Sequence, residues 1–505
     1  MRRVPLLSGS RVVVVPAVDD DLVLRPPAPP ARIADTGAAA RDALRFPLSG
    51  PPLEELARGA RRVTIVVEPP RLPFPGASPD PRQDALAATV DELARAGAPD
   101  ARQTLLVAGG LGRQLGRRAL ERLLPPPRAR SFRGRVVVHD ASSRELVTIA
   151  ERGGQPVRSH RELVEADLVV VVTAAETVVD GGPGALVAAS DAATVRATAS
   201  TTSLLELSGS GSWDLVLAVE AALAEQVPLV GLSLVLDLPR AGGSLPGLDR
   251  DPEAGRSLGR IARAELRAAF SLLPGVARRA ALDQRARSLA ATAAFAGPPS
   301  VAHAEALLRG VELRGARLER PVDALVVGVP WFGPHLPRSP ANPLTVAAAA
   351  LGLALRLHRD AFPVRDGGTL VVLHPLRRSF QDVEQAPYGE LYDAVRLARG
   401  ASELEAAEAA AGSSGPALEA YRRGLACHPL QPFADWAACT PALSRLGRVV
   451  VAGCRDAIAA RALGFVPARS VGSALEMAHG VAGGAARVGI LVGPPYPPLI
   501  VGARA

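Results

Sequence analysis

Regular patterning of apolar and polar positions begins at Arg61. Val63 to Val67 is a short β-branched run of strand length, followed by a Pro-rich turn from Pro69 to Pro75. Ala85 to Ala96 sets apolar residues at helical spacing and stops at Gly97. Thr104 to Ala108 predicts a second strand, closed by the turn Gly109-Gly110-Leu111-Gly112, and a helix is predicted from Arg117 to Leu124. Val136 to His139 and Leu168 to Thr173 are two further apolar runs bounded by polar residues. Strand, turn and helix alternating at this spacing predict a parallel sheet covered on both faces, because strands buried on both sides lose the in–out alternation of a half-exposed sheet. From Gly242 to Arg320 the sequence is Ala- and Arg-rich and predicted to be mainly helical. The alternation restarts with strand Ala324 to Val329 and a long Ala/Leu helix. Strand Thr369 to Leu373, a helical region from Tyr388 to Gly424, strand Val449 to Ala452 and helix Asp456 to Leu463 follow.

The expected class is therefore α/β: two α/β domains with mainly parallel sheets flanked by helices, and a cleft between them. Residues 1–60 are expected to form an irregular N-terminal arm, given the Pro-rich patch Pro26 to Pro30. The first domain spans 61–315 and the second 316–505, and no repeat of fixed period is present. A chain of 505 residues is too long for one ordinary core, which agrees with two domains.

Composition narrows the chemistry. Apolar residues make up 48% and aromatics only 3%, so the core must be filled mainly by Val, Leu and Ala. All 58 basic residues are arginine, which excludes a Schiff base, a lysine nucleophile and any lysine-tethered cofactor. The net charge of +8 suggests an anionic partner, but the arginines are scattered among 50 acidic residues and no basic run is interleaved with aromatics, so no nucleic-acid partner is expected. Cys427, Cys439 and Cys454 fit neither a disulfide framework nor a zinc spacing. The apolar run Val346 to Leu355 is 10 residues long, where a bilayer span needs about 20. The N-terminal apolar stretch is broken by Arg11, so no signal peptide is expected. A soluble, cytoplasmic protein with reduced thiols is the expectation.

Ordered landmarks then give a resemblance. Glu68-Pro69-Pro70-Arg71 stands after the first strand, and Ala96-Gly97 ends the first helix. Gly109-Gly110-Leu111-Gly112-Arg113 follows the second strand and His139-Asp140-Ala141 the third, with Gly154-Gln155-Pro156-Val157 and Glu165-Ala166-Asp167 after them. In this order they resemble the N-terminal domain of the nickel-dependent lactate racemase family. The second half is similar to a longer subgroup of that family through Gly328-Val329-Pro330-Trp331, Asn342-Pro343, Gly367-Gly368, His374-Pro375, His428-Pro429, Leu463-Gly464-Phe465 and Ala474 to Met477. The resemblance implies racemisation of a 2-hydroxy acid on a nickel pincer. That pincer, a nicotinic acid nucleotide, is tethered through a lysine, with two histidines exchanging the hydroxyl proton and another ligating the metal.

The residues for that chemistry are missing. Gly112 stands where the first histidine belongs, and Glu176 is followed by Thr177-Val178-Val179 where Pro and the second histidine belong. Gly181-Gly182-Pro183-Gly184 stands where the tethering lysine follows Gly-Gly-Arg, and Ser190 to Ser203 contains no histidine to bind nickel. One positioned acid/base group accelerates a reaction by roughly 10²–10⁴-fold, so losing the pair together with the tether removes the chemistry. No cofactor and no metal site are assigned.

What remains is a candidate anion-binding frame: Glu68, Arg71, Gly109, Gly110 and Arg113, since arginines and glycine-turn amides at strand ends can hold a phosphate or carboxylate. The plainer reading of Arg71 and Arg113 is ion pairing, with Glu68 orienting Arg71. The glycine turn is out of register for a dinucleotide fingerprint. His374 and His428, with His335, are candidates for a replacement acid/base pair if they converge on one cleft; otherwise they are structural. The expectation is a divergent protein that binds a small anion or 2-hydroxy acid without nickel-pincer chemistry. Alternatives are an active 2-hydroxy-acid isomerase with a remodelled site and a non-catalytic structural or partner-binding protein.

Overall fold

The computed structural model describes residues 2–18, 20–28, 30–69, 80–176, 180–201, 205–206, 213–238, 240–241, 257–283, 287–331, 340–397, 400–482, 486–493 and 496–502. The chain opens with β1 (Arg2–Ser8), β2 (Arg11–Ala17) and β3 (Leu22–Leu24). Next come β4 (Val63–Val67), β5 (Gln103–Val107), β6 (Arg135–Val138), β7 (Leu146–Arg152), β8 (Gln155–His160), β9 (Leu168–Ala174) and β10 (Leu229–Leu236). The short β11 (Arg240–Ala241) and β12 (Arg287–Ser288) precede β13 (Ala291–Gly297) and β14 (Ala316–Leu318). The remainder is β15 (Val322–Gly328), β16 (His358–Arg359), β17 (Val364–Leu373), β18 (Arg448–Ala452), β19 (Val466–Ala468), β20 (Val488–Leu491) and β21 (Leu499–Val501).

Two six-stranded sheets organise the protein. The first has the order β13-β10-β9-β4-β5-β6, parallel throughout except for the antiparallel edge strand β13. The second, β19-β18-β17-β15-β20-β3, is parallel throughout. Both are covered on both faces, as the valine runs require. In the first sheet Val63, Ile65, Leu105, Val107, Val170 and Val172 enter one core while Val66, Leu106, Val169 and Val171 enter another. In the second, Leu325, Val327, Leu370 and Val372 face a core opposite to that of Ala324, Val326, Val371 and Leu373. Each fully buried Val or Leu stabilises the fold by roughly 1.5–3 kcal/mol, which makes the register of these strands costly to shift. No helix among the described residues is long and apolar enough to cross a membrane.

The expected arm over residues 1–60 is corrected by the structure. β1 and β2 form an antiparallel hairpin whose Val4, Leu6, Val15 and Ala17 cover one face of the second sheet, and β3 extends that sheet at its edge. Helix Thr36–Arg45 packs on the first sheet, with Ala40 and Leu44 in its core. Within the hairpin, Pro5 pairs with Val14 and Pro16 with Arg3. A two-stranded ribbon leaves every second N–H outside the ladder, so proline costs no bond there. The mainly helical expectation for 242–320 also missed β13, whose Ala-rich sequence carries little strand propensity. Residues 242–256 lie outside the described ones.

Gly231, in β10, shows how closely the helix Pro299–Arg314 sits on the first sheet: a Cβ there would lie 2.6 Å from the Pro299 Cα. Gly231→Ala is expected to destabilise by about 1–3 kcal/mol through overpacking. Gly480→Ala, in a helix with open space around it, is expected to stabilise by up to about 1 kcal/mol. Urea unfolding midpoints of the two variants against the parent check both signs.

Candidate functional site

A cavity of about 160 Å³ lies where the carboxyl ends of β9, β4 and β5 meet the second half of the chain. Glu68 follows β4, Gly110 and Leu111 follow β5, and Asp180 comes after β9. The opposite wall is built from the stretch 348–356 and from helix Gln431–Leu443. Loops beyond the carboxyl ends of parallel strands are the usual ligand position in open α/β sheets, because the chain diverges there and leaves a crevice.

The second-half wall is locally unusual. Asn342 caps helix Pro343–Ala347 in a capping box with Thr345, and the helix then runs into a π-helical stretch, Ala348–Leu353, and a 3-10 turn, Ala354–Arg356. Gly352 lets this stretch approach the neighbouring helix, since a Cβ there would stand 3.2 Å from the Ala438 Cβ. π-helical turns cost hydrogen-bond geometry and recur at functional sites. Here the turn delivers Arg356 to the cavity. Its Nη1 donates to the Ala199 carbonyl at 3.2 Å, while Nε and Nη2 have no hydrogen-bond partner among the described residues. Burial lowers its pKa to about 10, against the opposing pull of Asp180 and Cys439, so the guanidinium stays charged at neutral pH.

A second polar group in the same wall is held firmly. Asp435 accepts from Tyr388 Oη at 2.7 Å and from Gln431 Nε2 at 2.8 Å. Tyr388 is fully buried, and burial followed by the Asp435 charge pushes its phenol well above the ordinary range, which keeps it a donor. The segment beyond the cavity wall is pinned across the two halves by Glu206. That carboxylate lies 2.5 Å from Arg445 Nη1 and 3.4 Å from His358 Nε2. Burial works against its charge, yet the bonds from His358 and Arg445 hold its pKa down to about 2.

Of the residues singled out in the sequence, Glu68 and Gly110 line the cavity. Gly110 adopts φ 57°, a conformation glycine accepts without strain, but its N–H donates to the Ala188 carbonyl and the Gly112 N–H to the Gly109 carbonyl. Those two amides are therefore committed within the protein, and Gly109 is absent from the cavity lining. Arg113 pairs with Glu384 and donates to the Gly424 carbonyl, tying the halves together. Arg71 and His335 lie outside the described residues.

His428 and His374 are not brought together. His428 Nδ1 accepts from the Leu430 N–H, which leaves the proton on Nε2, 2.9 Å from Ser142 Oγ. Its ring meets Tyr421 edge-on, and burial lowers its pKa to about 4. His374 is buried near Gly9 of the hairpin turn, where burial lowers its pKa to about 3. Both are neutral at physiological pH, and neither lines the cavity. Cys427 and Cys439 are buried free thiols with raised pKa values.

Sequence reasoning missed Arg356 and the Asp435 group. The legible signal was a single charge in the Ala/Leu run from Val346 to Leu357, since a lone arginine in an otherwise apolar helix must be either at the surface or placed with purpose.

The nickel pincer does not fit these residues. A Cβ on Gly181 would lie 2.5 Å from His303 Cε1, and one on Gly182 would lie 2.3 Å from His303 Cβ, so the turn that precedes Gly184, where a tether belongs, is packed against that ring. The chain supplies no lysine for the amide. Among the described residues, no three His, Cys, Asp or Glu side chains gather where they could share a metal ion.

Residues 10–180 match the lactate racemase N-terminal domain. The lactate racemase apoprotein from Thermoanaerobacterium thermosaccharolyticum shares the fold over 97% of this chain and 98% of its own, with a TM-score of 0.61 at 14% identity. The chain resembles lactate racemase in fold. A protein of known structure from Thermotoga maritima aligns over 93% of this chain and 100% of its own, with a TM-score of 0.48 at 11% identity. No curated protein matches the sequence. The likeness thus lies in the architecture, over nearly the whole length of both chains.

The Glu206 clamp gives a pH prediction. A carboxylate depressed in the folded state stabilises above its unfolded pKa of about 4.3, and that contribution is lost as pH falls through the folded value. The parent is expected to lose stability between about pH 4.5 and about pH 2. Glu206→Gln, less stable at neutral pH, is expected to show a flatter acid limb in denaturant midpoints measured across that window.

Proposed function

We propose that this protein binds a small carboxylate, a 2-hydroxy acid being the foremost class, at Arg356 in the cavity shared by its two halves, without nickel-pincer racemisation. The observation that carries the reading is the buried guanidinium whose Nε and Nη2 lack hydrogen-bond partners among the described residues. Leaving such donors unmatched costs about 1–3 kcal/mol each, more when charged, and a carboxylate meets the planar fork with two parallel bonds. Asp435, oriented by Tyr388 and Gln431 on the same wall, supplies an acceptor for a ligand hydroxyl. The described cavity lining contains no histidine, which argues against an imidazole acid/base pair of the family's kind.

Thermal denaturation with oxalate, L-lactate and D-lactate tests this. A ligand at a hundredfold its Kd stabilises by about 2.7 kcal/mol, enough to raise Tm visibly. Arg356→Met is expected to abolish the rise while leaving the free protein as stable as the parent or more so, because an uncompensated buried charge is removed. A variant that still responds to the acids, or one that loses stability with no response in the parent, contradicts the reading. Conversion of L-lactate to D-lactate by the purified protein would contradict its non-racemase half.

A further inference from the structure

The carboxyl edge of the second sheet carries a separate feature. Arg455 stands three residues beyond the end of β18, Arg377 four beyond β17, and Trp331 three beyond β15. These strands are neighbours in the sheet. The β17 and β18 loops are bound to each other, since the N–H groups of Arg455 and Asp456 donate to the Leu376 carbonyl at 3.2 and 3.1 Å. Arg11 reaches the same edge from the turn of the β1–β2 hairpin, whose Gly9 N–H donates to the Val329 carbonyl at 2.8 Å. Helix Gly275–Asp283 adds Arg278 and Arg279, the latter lying over the Trp331 ring at 5.8 Å.

The loops and the helix that carry these five arginines meet at this edge, and Arg278 and Arg455 each lie within electrostatic reach of Arg11 and of each other. Burial and then the charges of Arg11 and Arg279 lower the pKa of Arg278; burial and then Arg11, Arg377 and Arg278 lower that of Arg455. Among the described residues, neither guanidinium has an opposing carboxylate in the groups that shift it. Asp456, the nearest acid in sequence, is turned away: it caps its own helix and accepts from the Arg378 N–H. Arg278 is 8% exposed and gives Nη1 to the Ser271 and Leu273 carbonyls, while its Nε lacks a hydrogen-bond partner among the described residues. Other arginines are matched by carboxylates, as in Arg82 between Asp80 and Glu176 or Arg128 between Asp91 and Asp100. Like charges held on four separate elements repel one another, and a bound anion relieves that repulsion.

We propose that Arg11, Arg278, Arg279, Arg377 and Arg455 form a second anion site, specific for a ligand carrying two or more phosphate groups. One carboxylate or one orthophosphate leaves most of this charge uncompensated, whereas a chain of phosphates spans several guanidinium forks, each suited to bidentate contact. The position, outside the carboxyl ends of adjacent parallel strands, is where an open α/β sheet presents loops to a ligand. This site is independent of Arg356 and of the carboxylate reading.

Calorimetric titration of the full-length protein with tripolyphosphate, pyrophosphate and orthophosphate tests the proposal. Affinity is expected to rise in the order orthophosphate, pyrophosphate, tripolyphosphate and to fall steeply with added salt. Arg11 and Arg455 are exposed, so Arg11→Gln with Arg455→Gln should fold as the parent does; the pair is expected to weaken tripolyphosphate binding by at least about tenfold. Arg117→Gln, at an exposed arginine paired with Glu121, and Arg356→Met are expected to leave it unchanged. The proposal is overturned by no binding at millimolar tripolyphosphate, by equal affinity for orthophosphate, or by binding indifferent to the Arg11 and Arg455 changes. A short single-stranded RNA that displaces tripolyphosphate at lower concentration would overturn it as well, by assigning the surface to nucleic acid.

Discussion

Arg356 carries a positive charge into the junction of the two halves, and the surroundings do little to neutralise it. Among the described residues its hydrogen bond goes to the neutral carbonyl of Ala199, and the Asp180 carboxylate favours its charge without a hydrogen bond to it. A buried ion without a close partner costs several kcal/mol, so the fold tolerates it only because other interactions fix the junction around it. Those interactions are visible. Leu111 accepts from the His428 N–H, Gly110 accepts from Tyr421 Oη, Arg196 meets Glu408 at 2.6 Å, and Arg422 meets Asp140 at 3.1 Å. The site is thus stretched between elements that are each held in place independently of it.

The fold shared with lactate racemase places a crevice at the carboxyl ends of the first sheet's strands. Glycines at those strand ends do structural work. Gly112 closes a tight turn on Gly109, and Gly181 with Gly182 makes room for His303. A side chain at Gly181 or Gly182 would require His303 to repack.

The parallel core was legible because valine runs buried on both faces leave an unmistakable pattern, and β4, β5, β9, β15, β17 and β18 lie where those runs stand. β13 and the hairpin were not, since alanine and proline carry weak or contrary strand signals and their placement is decided by the surface they cover. His374 and His428 stood as candidates for an acid/base pair if they converged on one cleft, and as structural histidines otherwise. In the fold, one is sealed against the hairpin and the other bridges Ser142 and the Leu430 amide. Arg356 escaped notice because its importance depends on a π-helical turn and on what it fails to meet, and neither property is encoded in local sequence.

The most direct measurement is a crystal structure of the protein grown with oxalate or L-lactate. The account predicts the ligand in the cavity between the halves, its carboxylate on Arg356 Nε and Nη2 and its other polar end toward Asp435. An Arg356 fork engaged by a protein carboxylate, with the acid bound elsewhere or not at all, would contradict it.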